Sequence, residues 1–438
     1  VNERVIVASG FHAPERGQIV AFRDAVITID ADGTIRSVTE GTPAPEGAER
    51  LPEGWVLLPG FVDLHVHAPQ YPQLGTALDV PLEDWLQVHT FPLEARYADA
   101  DFAEEVWRAL VADLLAVGTT TAVYFATIHV EATVRLAQVC MELGQRAFVG
   151  KVAMDHPDAC PAYYRDGSAD EGVAGTRAVI DRIAALAGDG GLVQPIITPR
   201  FIPTCTDELL AGLGQLAAET GVRVQSHVSE SDWEHGHVLD RCGRSDAAAL
   251  DSFGLMRAHG IFAHGTHLSG TDMDLMRDRG AAVAHCPLSN AYFAGAVFPL
   301  RAALERELHV GLGSDISGGP AGTIWETARM AVAASRLRES GVDAELASEA
   351  RGTGAARVDF RTAFWLATAG GGEAVGLPVG VIAPGMQFDA MAVDPGAAAG
   401  GIRLWPGDAG ERVLEKLLYG ANRANVARVW VAGQRVCG

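Results

Sequence analysis

From residue 59 to about 340, apolar and β-branched runs alternate with stretches whose apolar positions recur at helical spacing. The strand-like runs are 60–67, 119–125, 147–154, 193–198, 222–228, 261–264, 281–286 and 310–315. Helix-length patterns fill most of the gaps, among them 102–116, 131–143, 207–220 and 322–337. Eight strand–helix units in series predict an α/β protein with a closed (β/α)₈ TIM barrel over 59–383. Both ends break the alternation. Short strands joined by polar turns at 5–9, 24–29 and 34–38 match strand and hairpin signals at 385–393 and 428–436. Residues 1–58 and 384–438 are therefore expected to build one small β-sandwich from the two termini. The most apolar long stretch, 109–128, is interrupted by Asp113 and by Gly118-Thr119-Thr120-Thr121. It reads as a helix running into a buried strand, not as a membrane span.

The 438 residues are 48% hydrophobic and 20% charged, enough to bury a large core and too apolar for disorder. Thirty-four Lys and Arg against 55 Asp and Glu leave a net charge of −21, a poor match for phosphate backbones or anionic lipid. Lys151 and Lys416 are the only lysines, which leaves almost no candidate for a Schiff base or a carboxylated lysine. Six cysteines without a CxxC pair read as reduced, buried thiols of a cytosolic protein. The first residues, Val1-Asn2-Glu3-Arg4, open with charge and no apolar run follows, so no signal peptide is expected.

Polar residues fall at the strand ends, where a barrel of this kind exposes its reactive groups. The first strand ends His65-Val66-His67, the fifth His227-Val228-Ser229-Glu230, the sixth His264, the seventh His285 and the eighth Asp315. Residues i and i+2 of a strand share a face, so His65 and His67 can grip one cation. Each residue also has a plainer reading. The two histidines could be hydrogen-bonded core residues, Glu230 a solvated loop carboxylate, and Asp315 a turn or helix-cap residue. Together, three imidazoles and one carboxylate suit a catalytic Zn²⁺ or Fe²⁺ with room for water. His264 could orient that water and Glu230 shuttle its proton. His285 reads as packing, and His235-Gly236-His237 as structural or surface because i and i+2 diverge on a helix. No GxSxG elbow, phosphate loop or PCxxC motif is present, and Gly370-Gly371-Gly372 follows a helix, which argues against a dinucleotide site. Lys151 falls short of the end of the third strand, which favours one metal over two.

The run Pro59-Gly60-Phe61-Val62-Asp63-Leu64-His65-Val66-His67, with the later histidines, HxxE and aspartate, resembles the amidohydrolase superfamily over nearly the whole chain. Within it the sequence is most similar to the guanine deaminases. The similarity is carried by His67-Ala68-Pro69-Gln70-Tyr71, Thr90-Phe91-Pro92, Thr198-Pro199-Arg200-Phe201, Ser226-His227-Val228-Ser229-Glu230 and Gly311-Leu312-Gly313-Ser314-Asp315. The resemblance implies that His65, His67, His227 and Asp315 hold one Zn²⁺, with Fe²⁺ as the alternative. It places His264 beside the reacting water, Gln70 and Arg200 on the purine, and Phe201 against its ring. The implied reaction is hydrolysis of guanine to xanthine and ammonia, with Glu230 delivering a proton to the ring nitrogen next to C2 and Asp315 taking the water's proton. A related ring aminohydrolase acting on a pterin, a triazine or another purine is the alternative, and a metal-free scaffold the remote one. The expected setting is a cytoplasmic homodimer with a small purine as partner, and neither nucleic acid nor membrane. Two segments depart from the pattern, 291–296 and 317–323; both follow barrel strands and are expected at the pocket rim.

Overall fold

The apolar runs become strands in a computed structural model that describes residues 3–188 and 190–438; Val1 and Asn2 of the charged N-terminus lie outside the described residues. Phe61–His67, Thr119–Phe125, Arg146–Gly150 and Val193–Pro195 pair in parallel, as do Gln225–Val228, Ile261–His264, Ala282–His285 and His309–Leu312. The fourth strand is interrupted at Ile196 and Ile197 and resumes at Thr198–Pro199, paired with Val152–Ala153. A parallel bridge from Ile197 to Val224 joins the two sets. On the other side, the Asp315 N–H donates to the His65 carbonyl at 2.9 Å. The result is a TIM-barrel-like α/β fold, with helices returning the chain between strands.

Local chemistry explains the helix boundaries. Asp99, Ser168, Thr206, Ser231, Ser245, Ser269, Thr323 and Asp359 each accept a backbone N–H at a helix start. The stretch 109–128 divides as its polar interruptions suggest, into the helix Ala100–Ala116 and the strand Thr119–Phe125. Among the described residues no helix is long and apolar enough to cross a membrane.

The two termini meet in one sheet. Arg4–His12, Val20–Ile29, Ile35–Thr39, Glu49–Arg50 and Val56–Pro59 share it with Ala390–Val393, Val426–Val431 and Gln434–Cys437. Val56–Pro59 lies between Arg4–His12 and Ala390–Val393, one residue before the first barrel strand. The joining of the ends is as the sequence predicts. The strands run in one continuous eight-stranded sheet.

A buried ion pair locks this sheet to the barrel. Arg146, on the third barrel strand, donates through Nε and Nη2 to Asp389 at 2.9 and 3.1 Å. Asp389 also accepts the Ala432 N–H at 2.7 Å. Removing one member strands the other charge in the interior, whereas replacing both with apolar groups removes the problem. Asp389→Leu is expected to lower unfolding free energy by about 3–5 kcal/mol in a urea titration, and Arg146→Leu/Asp389→Leu to recover most of that loss.

Candidate active site

Four strand ends, the first, fifth, sixth and eighth, deliver ionisable side chains to one point. His65 and His67 project from the first strand, with imidazole centroids 4.8 Å apart. Ligand atoms of His65, His67 and His227 lie within 4.8 Å of one another, as do those of His65, His264 and Asp315. Asp315 Oδ1 is 3.2 Å from His65 Nε2 and 3.7 Å from His67 Nε2. His264 Nε2 stands 3.7 Å from Glu230 and 3.9 Å from the second Asp315 oxygen. All six side chains are buried.

The close approach of strands eight and one requires glycine. A Cβ on Gly313 would lie 2.8 Å from both His65 Cβ and Cys286 Sγ. The backbone is strained at the same level, since Ser229, His264 and Asp315 all adopt positive φ, of 48°, 75° and 50°. Left-handed geometry at non-glycine residues costs about 1–3 kcal/mol each and gathers where function fixes the side chain.

Second contacts set the protonation of these groups. His227 Nδ1 donates to the Arg200 carbonyl at 2.6 Å, which leaves the Nε2 lone pair facing His67 Nε2 at 2.9 Å. His264 Nδ1 donates to Asn290 Oδ1 at 2.9 Å and likewise frees Nε2. Burial is the largest cause lowering the pKa of His67, His227 and His264, which favours the neutral imidazole at each. Burial opposes ionisation of Asp315, but His65, His264 and His67 outweigh it and hold the carboxyl well below its usual range. Glu230 goes the other way: burial first, then the Asp315 charge, push it up to about 8. The buried Nε2 atoms of His65 and His264 have no hydrogen-bond partner. Converging lone pairs, orphaned nitrogens and an ionised carboxylate are what a divalent cation with N and O ligands needs. The residues fit a metal.

The remaining predicted residues line the same pocket. Gln70, Arg200 and Phe201 form its wall with Glu230 and His264, and Phe201 lies 5.9 Å from the His227 ring. Both departing segments reach it: Phe293 packs on Trp85 at 5.0 Å, and the Ser317 N–H and hydroxyl bond Gln70 at 3.2 and 2.6 Å. His285 packs on Phe298 at 5.2 Å, and His235 and His237 ride the helix Asp232–Cys242, as expected of them. Lys151 is committed to Asp166 at 2.7 Å.

Four supporting positions escaped the strand-end reasoning. Glu94, in the short helix Phe91–Glu94, binds both Arg200 and Gln70. The signal was Arg200 itself, since a buried arginine demands a carboxylate. Glu234, Asp246 and Thr266 fix the turn that carries Glu230. Glu234 accepts the Glu230 N–H at 2.6 Å, Asp246 accepts the Ser229 N–H at 3.1 Å, and Thr266 donates to the Ser229 and Glu230 carbonyls at 2.8 and 2.6 Å.

Known proteins resemble this chain in sequence and fold. A guanine deaminase of Dictyostelium discoideum is 34% identical over 97% of this chain and 96% of its own length. The structure of a guanine deaminase from C. acetobutylicum, with guanine bound in its active site, superposes with a TM-score of 0.88 at 30% identity, covering 99% of this chain and 100% of the other. An adenosine deaminase from Xanthomonas campestris with bound zinc gives a TM-score of 0.81 at 26% identity, over 99% and 92% of the two chains. The profile of the Amidohydrolase family matches residues 56–436. A match that begins on the strand leading into the barrel and ends on the last strand of the chain makes this protein a member of the amidohydrolase family.

Proposed function

We propose that this protein is a guanine deaminase, hydrolysing guanine to xanthine and ammonia. The observation that carries the reading is one pocket whose walls do two jobs. His65, His67, His227 and Asp315 converge on one side, and the donors of Arg200 and Gln70 stand on another. A homologue with guanine in its active site, alike over the full chain, supports the choice of purine.

Those four side chains would hold one Zn²⁺ or Fe²⁺, which when bound supplies a Lewis acid and an acidified water. Arg200 and Gln70 retain N–H groups beyond those given to Glu94, and these meet the purine carbonyl. Phe201 covers the ring face. With the carbonyl so fixed, the C2 amino group turns toward Glu230 and Asp315. Glu230, protonated near neutrality, donates to the ring nitrogen adjacent to C2, and Asp315, ionised, accepts the water's proton. His264, anchored on Asn290, orients the water between them. The C2–O bond forms, Asp315 passes the proton it took to the amino group, the C2–N bond breaks with loss of ammonia, and the new C2 hydroxyl returns a proton to Glu230 as it becomes the carbonyl. The same reading keeps 1–58 and 384–438 as one β-sandwich unit beside the barrel of 59–383, supported by the shared apolar cluster of Ile6, Phe22, Leu57, Phe388 and Trp430. It also keeps a cytoplasmic homodimer that binds no nucleic acid or membrane, the last supported by the charge of −21.

Metal analysis of the purified protein is expected to find about one Zn²⁺ or Fe²⁺ per chain, and a chelator to abolish turnover of guanine until metal is returned. Full activity in metal-free protein would remove the basis of this site.

Glu230→Gln keeps size and hydrogen bonding but not proton delivery. Its kcat should fall about 10²–10⁴-fold with metal content unchanged; a near-normal kcat would assign the proton to another group.

Adenine presents an amino group where guanine has its carbonyl, setting donors against the Arg200 and Gln70 donors. A site built around a hydrogen bond rejects such an analogue by about 10⁴ or more. The ratio of kcat/KM for guanine over adenine should reach that order and lose most of it in Arg200→Ala. Equal rates on the two purines would reduce the assignment to a generic aminohydrolase.

A further inference from the structure

Arg200 and Glu94 are 2% and 1% exposed, so neither charge is screened by water. Arg200 Nη1 donates to Glu94 Oε2 at 2.6 Å and Nη2 to Oε1 at 3.2 Å, and the Gln70 amide adds a third bond to Oε1 at 3.0 Å. Burial alone would lower the Arg200 pKa, but the Glu94 carboxylate more than offsets it and keeps the guanidinium charged. Phe91 covers the pair, its ring centroid 5.0 Å from Arg200 Cζ. Burial holds two further neighbours of the guanidinium neutral, the Tyr164 phenol and the Cys160 thiol, the latter up to about 12, while Glu230 in the same pocket gains its charge only above about 8. The clamp therefore offers N–H donors and no net charge.

For the deamination proposed above, on which this inference rests, substrate and product differ at C2, where an amino group becomes a carbonyl. The second carbonyl makes xanthine the stronger N–H acid, and it becomes an anion at a pH where guanine is neutral. An uncompensated arginine in a low-dielectric wall would attract that anion strongly. We infer that Glu94 is a specificity-determining partner of Arg200: by cancelling the guanidinium charge it makes the clamp select a neutral oxopurine and release the anion of its own product. Glu94 acts through Arg200 and is a positioning residue, not a catalytic one.

The test compares xanthine inhibition of guanine turnover, and xanthine binding by calorimetry, on both sides of xanthine's ionisation. In the unmodified enzyme the inhibition constant should rise as the anion forms. In Glu94→Gln it should fall, by about tenfold or more relative to the guanine KM, since 1.4 kcal/mol of attraction is a factor of ten. Glu230 titrates in both enzymes, so their difference isolates Glu94. Should Glu94→Gln fail to fold around its unpaired arginine, Glu94→Gln/Arg200→Gln restores a neutral wall and should fold without the alkaline tightening. Tighter binding of the anion by the unmodified enzyme, identical pH profiles in the two enzymes, or tightening that survives in the double variant would each overturn the role of Glu94. Absence of guanine turnover in the unmodified, metal-loaded enzyme would instead overturn the deaminase reading itself.

Discussion

At the carboxyl ends of the barrel strands, His65, His67, His227, His264, Glu230 and Asp315 are withdrawn from water together. An isolated polar group moved that way costs several kcal/mol, and a charge more. Much of the surrounding architecture answers this cost. The Arg200 carbonyl takes the His227 proton, Asn290 takes that of His264, and Asp63 accepts the N–H groups of His65 and Ser314 at 3.3 and 2.9 Å. The Nε2 atoms of His65 and His264 are left without a hydrogen-bond partner beside Asp315, within reach of a cation held there.

The opposite wall solves a related problem by other means. Arg200 cannot be buried without a counter-charge, and Glu94 supplies one from a helix of four residues that belongs to no barrel strand. Gln70 is tied into the same group, and Ser317 after the eighth strand holds its other end. One wall thus concentrates charge for chemistry, while the other neutralises charge for recognition. Both depend on low dielectric, and neither would hold its geometry if the pocket floor were wet.

The barrel and the buried cluster of histidines and carboxylates were legible because each rests on a short-range rule. Period-two alternation puts His65 and His67 on one face, and parallel strands end at a common level, so HxxE, His264 and Asp315 had only one place to meet. Helix starts at Asp207 and Val130 follow the pattern within one residue of the positions expected from periodicity. Glu94 was not legible in that way, because its meaning lies in Arg200, 106 residues later. The terminal sheet shows the same limit. Strand signals at both ends predict pairing partners, but whether the strands fold as two layers or one sheet is decided by hydrogen bonds between residues nearly a chain length apart.

The turn that carries Glu230 has its amides on Asp246 and Glu234 and its carbonyls on Thr266. No backbone group there is left for water to compete for. Solvent exchange of the Glu230 amide must therefore wait for a bond in the interior to break, and should be governed by opening of the barrel rather than by breathing at the pocket mouth. A ligand that enters and leaves needs a yielding rim. Across the pocket, Leu86 and Phe293 pack in an apolar cluster with Trp85. Glu230 is thus mounted on a turn whose backbone is tied down on every side.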